Sequence, residues 1–459
     1  MARTVIIVGA GFSGTVLAVN LLRRETAQIS DIVLIERSGD MGRGVAYAQR
    51  DHPYLLNVPA ARLSADSREP LQFLRYARTR LPGVDGEDFL PRALYGDYLQ
   101  QSLLEAERGA QGRLLRVFGE VTGIGESRDG APLLAHFADR APLAGHDLVL
   151  ALGIPPAGVP EWAENLQGHA AYRQDPWNLP VLTEQHSVLI VGNGLTMADV
   201  SSALSRQADR VPTLHTISRR GLIPKPQAPF DADAVHGSGE EVLACADSLR
   251  GVLRVCRATA RRVEERGGDW REVIAFIRGL APALWRRLPE NERRRFVRHL
   301  HIHWDTHRHR LPPQLSARIE ALRRSGKLRI NAGRIERVAV RDHQLQVHWR
   351  PRGKDLSATL TVDLLVNATG PDYAIRRSPD PLLKSLREAG QVSADALNLG
   401  IRTHRFGACL DAHGHASRHL YYLGPMLRAD HLDATAVTEL RDHAERLAAH
   451  LGGRGVALS

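Results

Sequence analysis

Thr4-Val5-Ile6-Ile7-Val8-Gly9-Ala10-Gly11-Phe12-Ser13-Gly14 is the stretch on which the reading of this chain turns. Its continuous apolar run is the signature of a strand buried on both faces in a parallel sheet. The run enters G-x-G-x-x-G without a break and continues into Thr15–Arg24, whose Val16, Leu17, Val19, Leu21 and Leu22 suit a helix packed on that sheet. In such a turn Gly9 permits the tight reversal, Gly11 lets the backbone approach a pyrophosphate, and Gly14 lets helix and strand pack closely. The helix start then offers unpaired N–H groups and the positive end of its dipole to the anion. Asp31-Ile32-Val33-Leu34-Ile35-Glu36 follows as a second strand. It ends in an acid about 20 residues on, where a carboxylate accepts from a ribose 2′-OH. Glycines alone are weak evidence. Strand, glycines, helix, strand and acid in register predict a bound dinucleotide.

The layout occurs twice. Ser187-Val188-Leu189-Ile190-Val191-Gly192-Asn193-Gly194-Leu195-Thr196-Met197-Ala198 is again a buried strand, a G-x-G turn and a helix. Asp363-Leu364-Leu365-Val366-Asn367-Ala368-Thr369-Gly370 parallels the earlier Asp147-Leu148-Val149-Leu150-Ala151-Leu152-Gly153. Two copies predict two dinucleotides, held end to end. They differ where the ribose is read. The second strand of the second copy, Leu214–Ser218, ends in Ser218-Arg219-Arg220-Gly221 with no acid. Arginine suits bidentate phosphate recognition, so this half is expected to take the 2′-phosphate of NADPH. Two merely solvated arginines are the alternative.

Composition narrows the class. At 459 residues, 43% apolar and 24% charged, the chain has the make-up of a globular protein with two or three domains. No apolar run approaches a membrane span, and a first strand starting at Thr4 predicts no signal or transit peptide. Cys245, Cys256 and Cys409 are odd in number, widely spaced and without a C-x-x-C. They predict a reducing cytoplasm and exclude the dithiol of a disulfide reductase. The net charge of +10 comes almost wholly from scattered arginines. Without an aromatic-interleaved basic tract, it points to a solvated surface or anion recognition in a site rather than to nucleic acid. An assembly of several copies is left open.

Between the landmarks, Arg37–Tyr47 is glycine-rich and irregular, and Leu55-Leu56-Asn57-Val58-Pro59-Ala60 is too apolar for an exposed loop. Phe89–Leu99 opens a helix running to about Arg108, with Pro91 in its first turn and Arg92 placed to meet a phosphate. Residues 112–152 alternate as a β-meander that returns to the parallel sheet, and 327–350 alternate again. A helical insertion over 236–326 begins with one apolar stripe through Val242, Leu249, Val252, Cys256 and Val263. Further helices are expected near Trp270–Gly279, from Pro289 to about Leu300, and over Pro312–Ser325. Inside it lies Arg298–Arg310, rich in His and Arg. His299 and His303, four apart on a helix, have ligand spacing. With no cysteine and a surplus of positive charge around them, no metal is expected, and the segment reads as an anion- or flavin-facing wall. A last helix, Asp433–His450, points its start around Asp433–Ala436 at the nucleotide.

The chain thus reads as α/β, two Rossmann-like dinucleotide-binding domains with β-meanders and a helical insertion. Residues 1–180 plus 371–459 form the first domain and 181–370 the second. Taken together, the Gly9–Gly14 loop with Glu36, Gly42–Tyr47, Leu56–Ala60, Arg92–Tyr98, Asp175-Pro176-Trp177, Val191–Asp199, Ser218–Gly221, Trp304–Arg310, Asn367–Pro371, Leu423–Arg428 and Thr435-Ala436-Val437 resemble FAD/NAD(P)-binding proteins near the flavin-dependent N-hydroxylating monooxygenases. The resemblance covers almost the whole chain. It departs from the family pattern at Ala429, where glycine is typical, and at Leu432-Asp433, where an aromatic and glutamate are usual.

The resemblance implies FAD on the first domain, held by Gly9, Gly11, Phe12, Ser13, Gly14, Glu36 and Arg37. Gly44, Val45, Asn57, Val58, Arg92, Tyr95 and Val121 continue that site, and Ala151, Gly153, Gly424, Thr435 and Ala436 close it. It implies NADPH on Gly192, Asn193, Gly194, Leu195, Thr196, Ser218, Arg219, Arg220 and Gly370. Asn57 would stand near the flavin, and Trp304, His307 and Arg308 would line a pocket. The implied activity is that of an NADPH-dependent flavin monooxygenase: hydride passes from NADPH to FAD, and one atom of O2 passes to a small nucleophilic substrate, an amine or amino-acid nitrogen. The rival readings are an NADPH:acceptor flavin oxidoreductase without oxygen transfer and a non-enzymatic flavoprotein.

Overall fold

A computed structural model of the chain describes residues 3–24, 28–110, 112–126, 133–182, 186–207, 211–235 and 239–453. The expected range ends at 1, 236 and 459 lie outside the described residues. The chain opens with β1 (Arg3–Val8), α1 (Phe12–Leu22), β2 (Ile29–Glu36), α2 (Gly44–Tyr47), α3 (Gln72–Arg80) and α4 (Arg92–Gly109). Strands β3 (Leu114–Phe118), β4 (Val121–Glu126), β5 (Leu133–Phe137), β6 (Leu143–Gly145), β7 (Asp147–Leu150) and β8 (Tyr172–Arg173) follow. Then come β9 (Ser187–Val191), α5 (Leu195–Gln207), β10 (Thr213–Ser218) and the insertion helices α6 (Gly239–Ala244), α7 (Leu249–Glu265), α8 (Trp270–Arg287), α9 (Glu290–His299), α10 (His301–Arg308) and α11 (Pro313–Arg324). The chain closes with β11 (Leu328–Arg341), β12 (Gln344–Pro351), β13 (Ala358–Val362), β14 (Leu364–Asn367), α12 (Pro381–Glu388), β15 (Ala408–Leu410), β16 (Ala416–Tyr422) and α13 (Val437–Gly452).

Two units result: Met1–Pro155 with Ala281–Arg286 and Tyr373–Ser459, and Pro156–Leu280 with Arg287–Asp372. The first boundary falls at 155 instead of 180 because β8 pairs with β14 and Ala157 bridges Pro371, so 156–180 folds with the second unit. Six residues of α8 count with the first unit, where the indole N–H of Trp285 donates to the Ala429 carbonyl at 3.0 Å.

In the first unit the sheet order is β15-β16-β7-β1-β2-β3, parallel from β16 to β3. The apolar run of β1 needs cover on both sides, and it has it. Val5 and Ile7 face α1, α4 and α13 through Leu17, Leu99 and Leu447. Ile6 and Val8 face the separate β4-β5-β6 sheet and α12 through Ile124, Phe137 and Leu386. The expected meander is therefore β4–β6 alone, while β3 extends the parallel sheet.

The second unit repeats the order as β8-β14-β9-β10-β11 and continues into β12-β13. The long β11 pairs parallel with β10 up to Ser218↔Ala332, then antiparallel with β12 from Gly333↔Pro351. Helices α5 and α11 cover one face through Leu204 and Ile319.

Several helix limits differ from expectation. The stripe from Val242 to Val263 is split, because Ser248 takes an extended conformation and its Oγ accepts from the Gly251 N–H, starting α7 afresh. Helix α8 runs past Gly279 and through Pro282 to Arg287. Pro91, Pro289 and Pro312 sit just before their helices rather than in the first turn. Leu300 separates α9 from α10, so His299 and His303 do not share a helix. Asp433–Ala436 is not helical; α13 begins at Val437 with Ala436 before it. Among the described residues no helix is long and apolar enough to cross a membrane.

Candidate functional site

The first loop is built by contacts that only glycine allows. Gly9 has φ +103°, and a Cβ there would lie 2.3 Å from the Ala151 carbonyl oxygen at the end of β7. A Cβ on Gly14 would meet the Gly9 oxygen at 1.9 Å and Ile7 at 3.2 Å, so α1 starts directly on β1. Gly11 is different: its added Cβ would touch nothing nearer than the Gly44 Cα at 3.5 Å. The space it leaves faces the start of α1, which carries no side-chain cap and no acid in its first turn. A helix start of this kind leaves its free N–H groups open to an anion. Buried Ser13 and half-buried Phe12 lie in that turn, and Phe12 stacks on Tyr95 at 6.3 Å.

Glu36 braces the loop. Its carboxylate accepts from Ala10 N–H at 2.8 Å, Ser38 N–H at 3.0 Å and Ser38 Oγ at 2.9 Å. A carboxylate has about four lone-pair sites, so the ribose hydroxyl expected there meets an acid already held in place. Arg37 is exposed and pairs with Glu120 at 3.2 Å and Asp380 at 3.5 Å. Arg92 spends its Nε on the Leu55 carbonyl at 3.1 Å, tying the start of α4 to the segment that carries half-buried Asn57 and Val58. Gly44 approaches Gly11, next to exposed Val45. Val121 is buried at the start of β4, and Ala151 leads to Gly153, with φ +73°. Gly424 (φ +156°) lies two residues past the end of β16 and precedes the loop to Thr435 and Ala436. The Tyr95 hydroxyl and Thr435 Oγ1 are buried without a hydrogen-bond partner among the described residues. Burial pushes the Tyr95 phenol well up, so it keeps its proton as a donor. Ala429, the departure from glycine, is buried with its carbonyl bound by Trp285.

The second loop repeats the first. Gly192 has φ +112°, with a virtual Cβ 2.2 Å from the Ala368 oxygen, while around Gly194 nothing lies within 4 Å. Asn193 between them is buried, and both its amide atoms lack a partner among the described residues. Leu195 and Thr196 start α5, again with no acid in the first turn. Ser218 Oγ accepts from the Gly221 N–H at 3.0 Å and turns the chain after β10. Arg219 is exposed and makes no hydrogen bond or ion pair among the described residues. Arg220 is engaged instead: its Nη1 donates to the His299 carbonyl at 3.0 Å and meets His303 Nε2 at 2.8 Å. Gly370, with φ +90°, follows β14.

Of the expected pocket wall, His307 lies edge-on to Trp270 at 5.1 Å, Arg308 Nη1 meets His309 Nε2 at 2.7 Å, and Trp304 is half-buried. All three belong to the second unit and Asn57 to the first. Among the described residues no three His, Cys, Asp or Glu side chains gather as a metal site. Ser38, Trp285 and His303 are contributors that motif reading passes over. Ser38 and Trp285 follow no pattern, and His303 shows by number only as half of a rejected metal pair, within a segment read as an anion- or flavin-facing wall.

The glycine cradles, the uncapped helix starts and the unpartnered Asn193 and Thr435 groups fit a dinucleotide at each loop. The fold is accordingly that of a protein with two Rossmann-like dinucleotide-binding domains. Residues 6–155 match the family model described as FAD-NAD(P)-binding. Solved structures similar over nearly the whole chain include L-lysine 6-monooxygenase from Pseudomonas syringae, with 16% identity, TM-score 0.66, and 98% of this chain and 99% of that one covered. The cadaverine monooxygenase of the desferrioxamine pathway from Erwinia amylovora, bound to FAD, aligns at 15% identity and TM-score 0.65, covering 100% and 98%. Ornithine hydroxylase from Pseudomonas aeruginosa aligns at 18% identity and TM-score 0.62, covering 98% and 99%. No curated protein matches the sequence.

Proposed function

We propose that this chain is an FAD- and NADPH-dependent monooxygenase that hydroxylates an amine or amino-acid nitrogen. The observation that carries the reading is the repeated cradle, Gly9 against Ala151 and Gly192 against Ala368, which supplies two pyrophosphate seats in one chain. End-to-end likeness to lysine, cadaverine and ornithine hydroxylases supports the reaction class.

On this reading the first unit holds FAD. The space at Gly11 admits the pyrophosphate, the start of α1 supplies amide donors, and Glu36 receives the ribose. The Thr435 hydroxyl and Tyr95 phenol are further donors. FAD bound there supplies hydride acceptance and activation of O2. The second unit holds NADPH, with Gly194 and the start of α5 on its pyrophosphate and Arg219 on its 2′-phosphate. The substrate needs no nucleophile from the protein, which orients the cofactors and keeps the site dry. The raised pKa of Cys256, held at about 11 by burial, and the still higher one of buried Cys409 agree with thiols outside the chemistry.

The test is a panel of amines and amino acids. One of them should stimulate NADPH oxidation and yield a hydroxylamine. NADPH oxidation unaltered by every amine, with electrons passing to added acceptors, would favour a plain reductase. A flavin that NADPH never reduces would favour a non-enzymatic role.

A further inference from the structure

The helix α10 has two differently charged faces. His301 and Asp305 lie on one, where the Asp305 carboxylate stands 3.3 Å from His301 and 3.9 Å from His309, the residue just after the helix. His303 and His307 lie on the other, four residues apart, and no acid is among the groups that act on His303. That second face meets the turn after β10. His303 Nε2 sits 2.8 Å from Arg220 Nη1, and the His303 carbonyl is 2.7 Å from His307 Nδ1. Arg352, at the end of β12, joins them: its N–H donates at 2.8 Å to Ala332, the residue opposite Ser218 in the sheet. The groups facing His303 are thus Arg220, His307 and Arg352, all cationic or cation-forming. The segment that follows the turn is tied to α10 by a hydrogen bond from Lys225 N–H to the Thr306 carbonyl, and to the chain just beyond the helix by one from Leu311 N–H to the Lys225 carbonyl, each 2.8 Å.

A neutral ring is what this arrangement requires when no anion is present. Arg220 can only donate, so His303 Nε2 accepts from it with a lone pair. His303 is solvent-exposed, yet local desolvation against the turn, together with the nearby Arg220, His307 and Arg352, lowers the pKa of its ring from the usual value. An arriving dianionic phosphate reverses both conditions. It offers Arg220 a charged acceptor and turns the cationic surroundings into favourable ones.

Resting on the reading that the second loop takes NADPH, we propose that His303 is the proton-coupled member of its 2′-phosphate subsite. The phosphate replaces the His303 ring nitrogen as acceptor for Arg220, and His303 takes a proton from solvent and donates to the phosphate beside Arg219 and Arg352. NADPH recognition is then linked to pH through a side chain of the helical insertion.

The sign follows from proton uptake. Binding favours the protonated ring, so affinity for NADP+ weakens as pH rises from about 6.5 to about 8. The phosphate's own ionisation, near pH about 6, acts in the opposite sense and is nearly complete above pH about 7. Calorimetric titration of the full-length flavoprotein with NADP+ and NAD+ across this range reads the effect. NADP+ affinity should fall by up to about tenfold per pH unit with net proton uptake, and NAD+ affinity should stay flat. His303→Gln should flatten the NADP+ slope while leaving NAD+ binding intact, which shows that the fold persists. Absence of proton uptake in the wild-type protein, or an unchanged slope in His303→Gln, overturns this inference alone. Equal losses of NADP+ and NAD+ in Arg219→Ala and Arg352→Ala would instead overturn the NADPH reading beneath it.

Discussion

Gly9 lies so close to Ala151 that a Cβ would stand 2.3 Å from the carbonyl oxygen, locking the end of one strand to the end of its neighbour. The same relation recurs between Gly192 and Ala368 at 2.2 Å. Both glycines also have positive φ, so each position excludes side chains twice over. Gly9→Ala should cost about 1–3 kcal/mol or more in stability together with the flavin. Gly192→Ala should leave flavin content unchanged and impair NADPH and NADH alike. Thermal melts and flavin absorbance of the purified variants check both.

Gly11 separates cofactor binding from folding. Its virtual Cβ has only an ordinary contact with the Gly44 Cα, at 3.5 Å, so Gly11→Val should fold and yet lose FAD, because the side chain occupies the pyrophosphate's place. A colourless protein with a near-native melting curve is the expected result. Full flavin occupancy would remove the assignment of this loop.

Arg219 and Arg220, equivalent in sequence, should behave differently. Arg219 is uncommitted, so Arg219→Ala should weaken NADPH about 10- to 100-fold and leave NADH nearly unchanged, the cost of one hydrogen bond to a charged group being about 1.5–3 kcal/mol. Arg220→Ala should weaken NADPH as well and in addition lower the melting temperature, because its guanidinium also holds the His299 carbonyl and the His303 ring at the α9–α10 junction. Steady-state kinetics with both nucleotides, read beside the melting temperature, separates the two roles.

Burial and its neighbours His431 and Arg446 hold the His443 ring neutral down to about 3. An unfolded histidine protonates near about 6.5. Below that pH the unfolded chain therefore binds more protons, and stability falls as pH drops from about 6.5 towards about 3. At about 1.4 kcal/mol per unit, this amounts to about 2 kcal/mol between pH 6.5 and 5. Urea unfolding at the two pH values should show it, and His443→Gln should make the acid limb shallower.

How far the sequence could be read follows from the kind of signal each element carries. Strands β1, β2, β9 and β14 and their glycine turns were legible because a doubly buried strand must be apolar throughout and its turn must be glycine. Helix limits were less so. The apolar stripe from Val242 to Val263 continues across Ser248, and periodicity cannot see a break that a side-chain cap creates. The helix expected to end near Gly279 runs on through Pro282 and seats Trp285 on Ala429. At the site, residue type points to Glu36, Arg219 and Arg220 by their chemistry. The prior commitments of Glu36 to Ala10 and Ser38, and of Arg220 to His299 and His303, depend on tertiary neighbours that no spacing encodes.

The central claim, oxygen transfer to an amine nitrogen driven by NADPH, is tested most directly by mass spectrometry of the product formed under isotopically labelled O2. The flavin-loaded protein, NADPH and a panel of amines and amino acids should give one hydroxylated amine carrying a single labelled oxygen atom, and Gly11→Val should give none. NADPH consumed with labelled oxygen recovered only as hydrogen peroxide or water, and no labelled amine from any member of the panel, would contradict it.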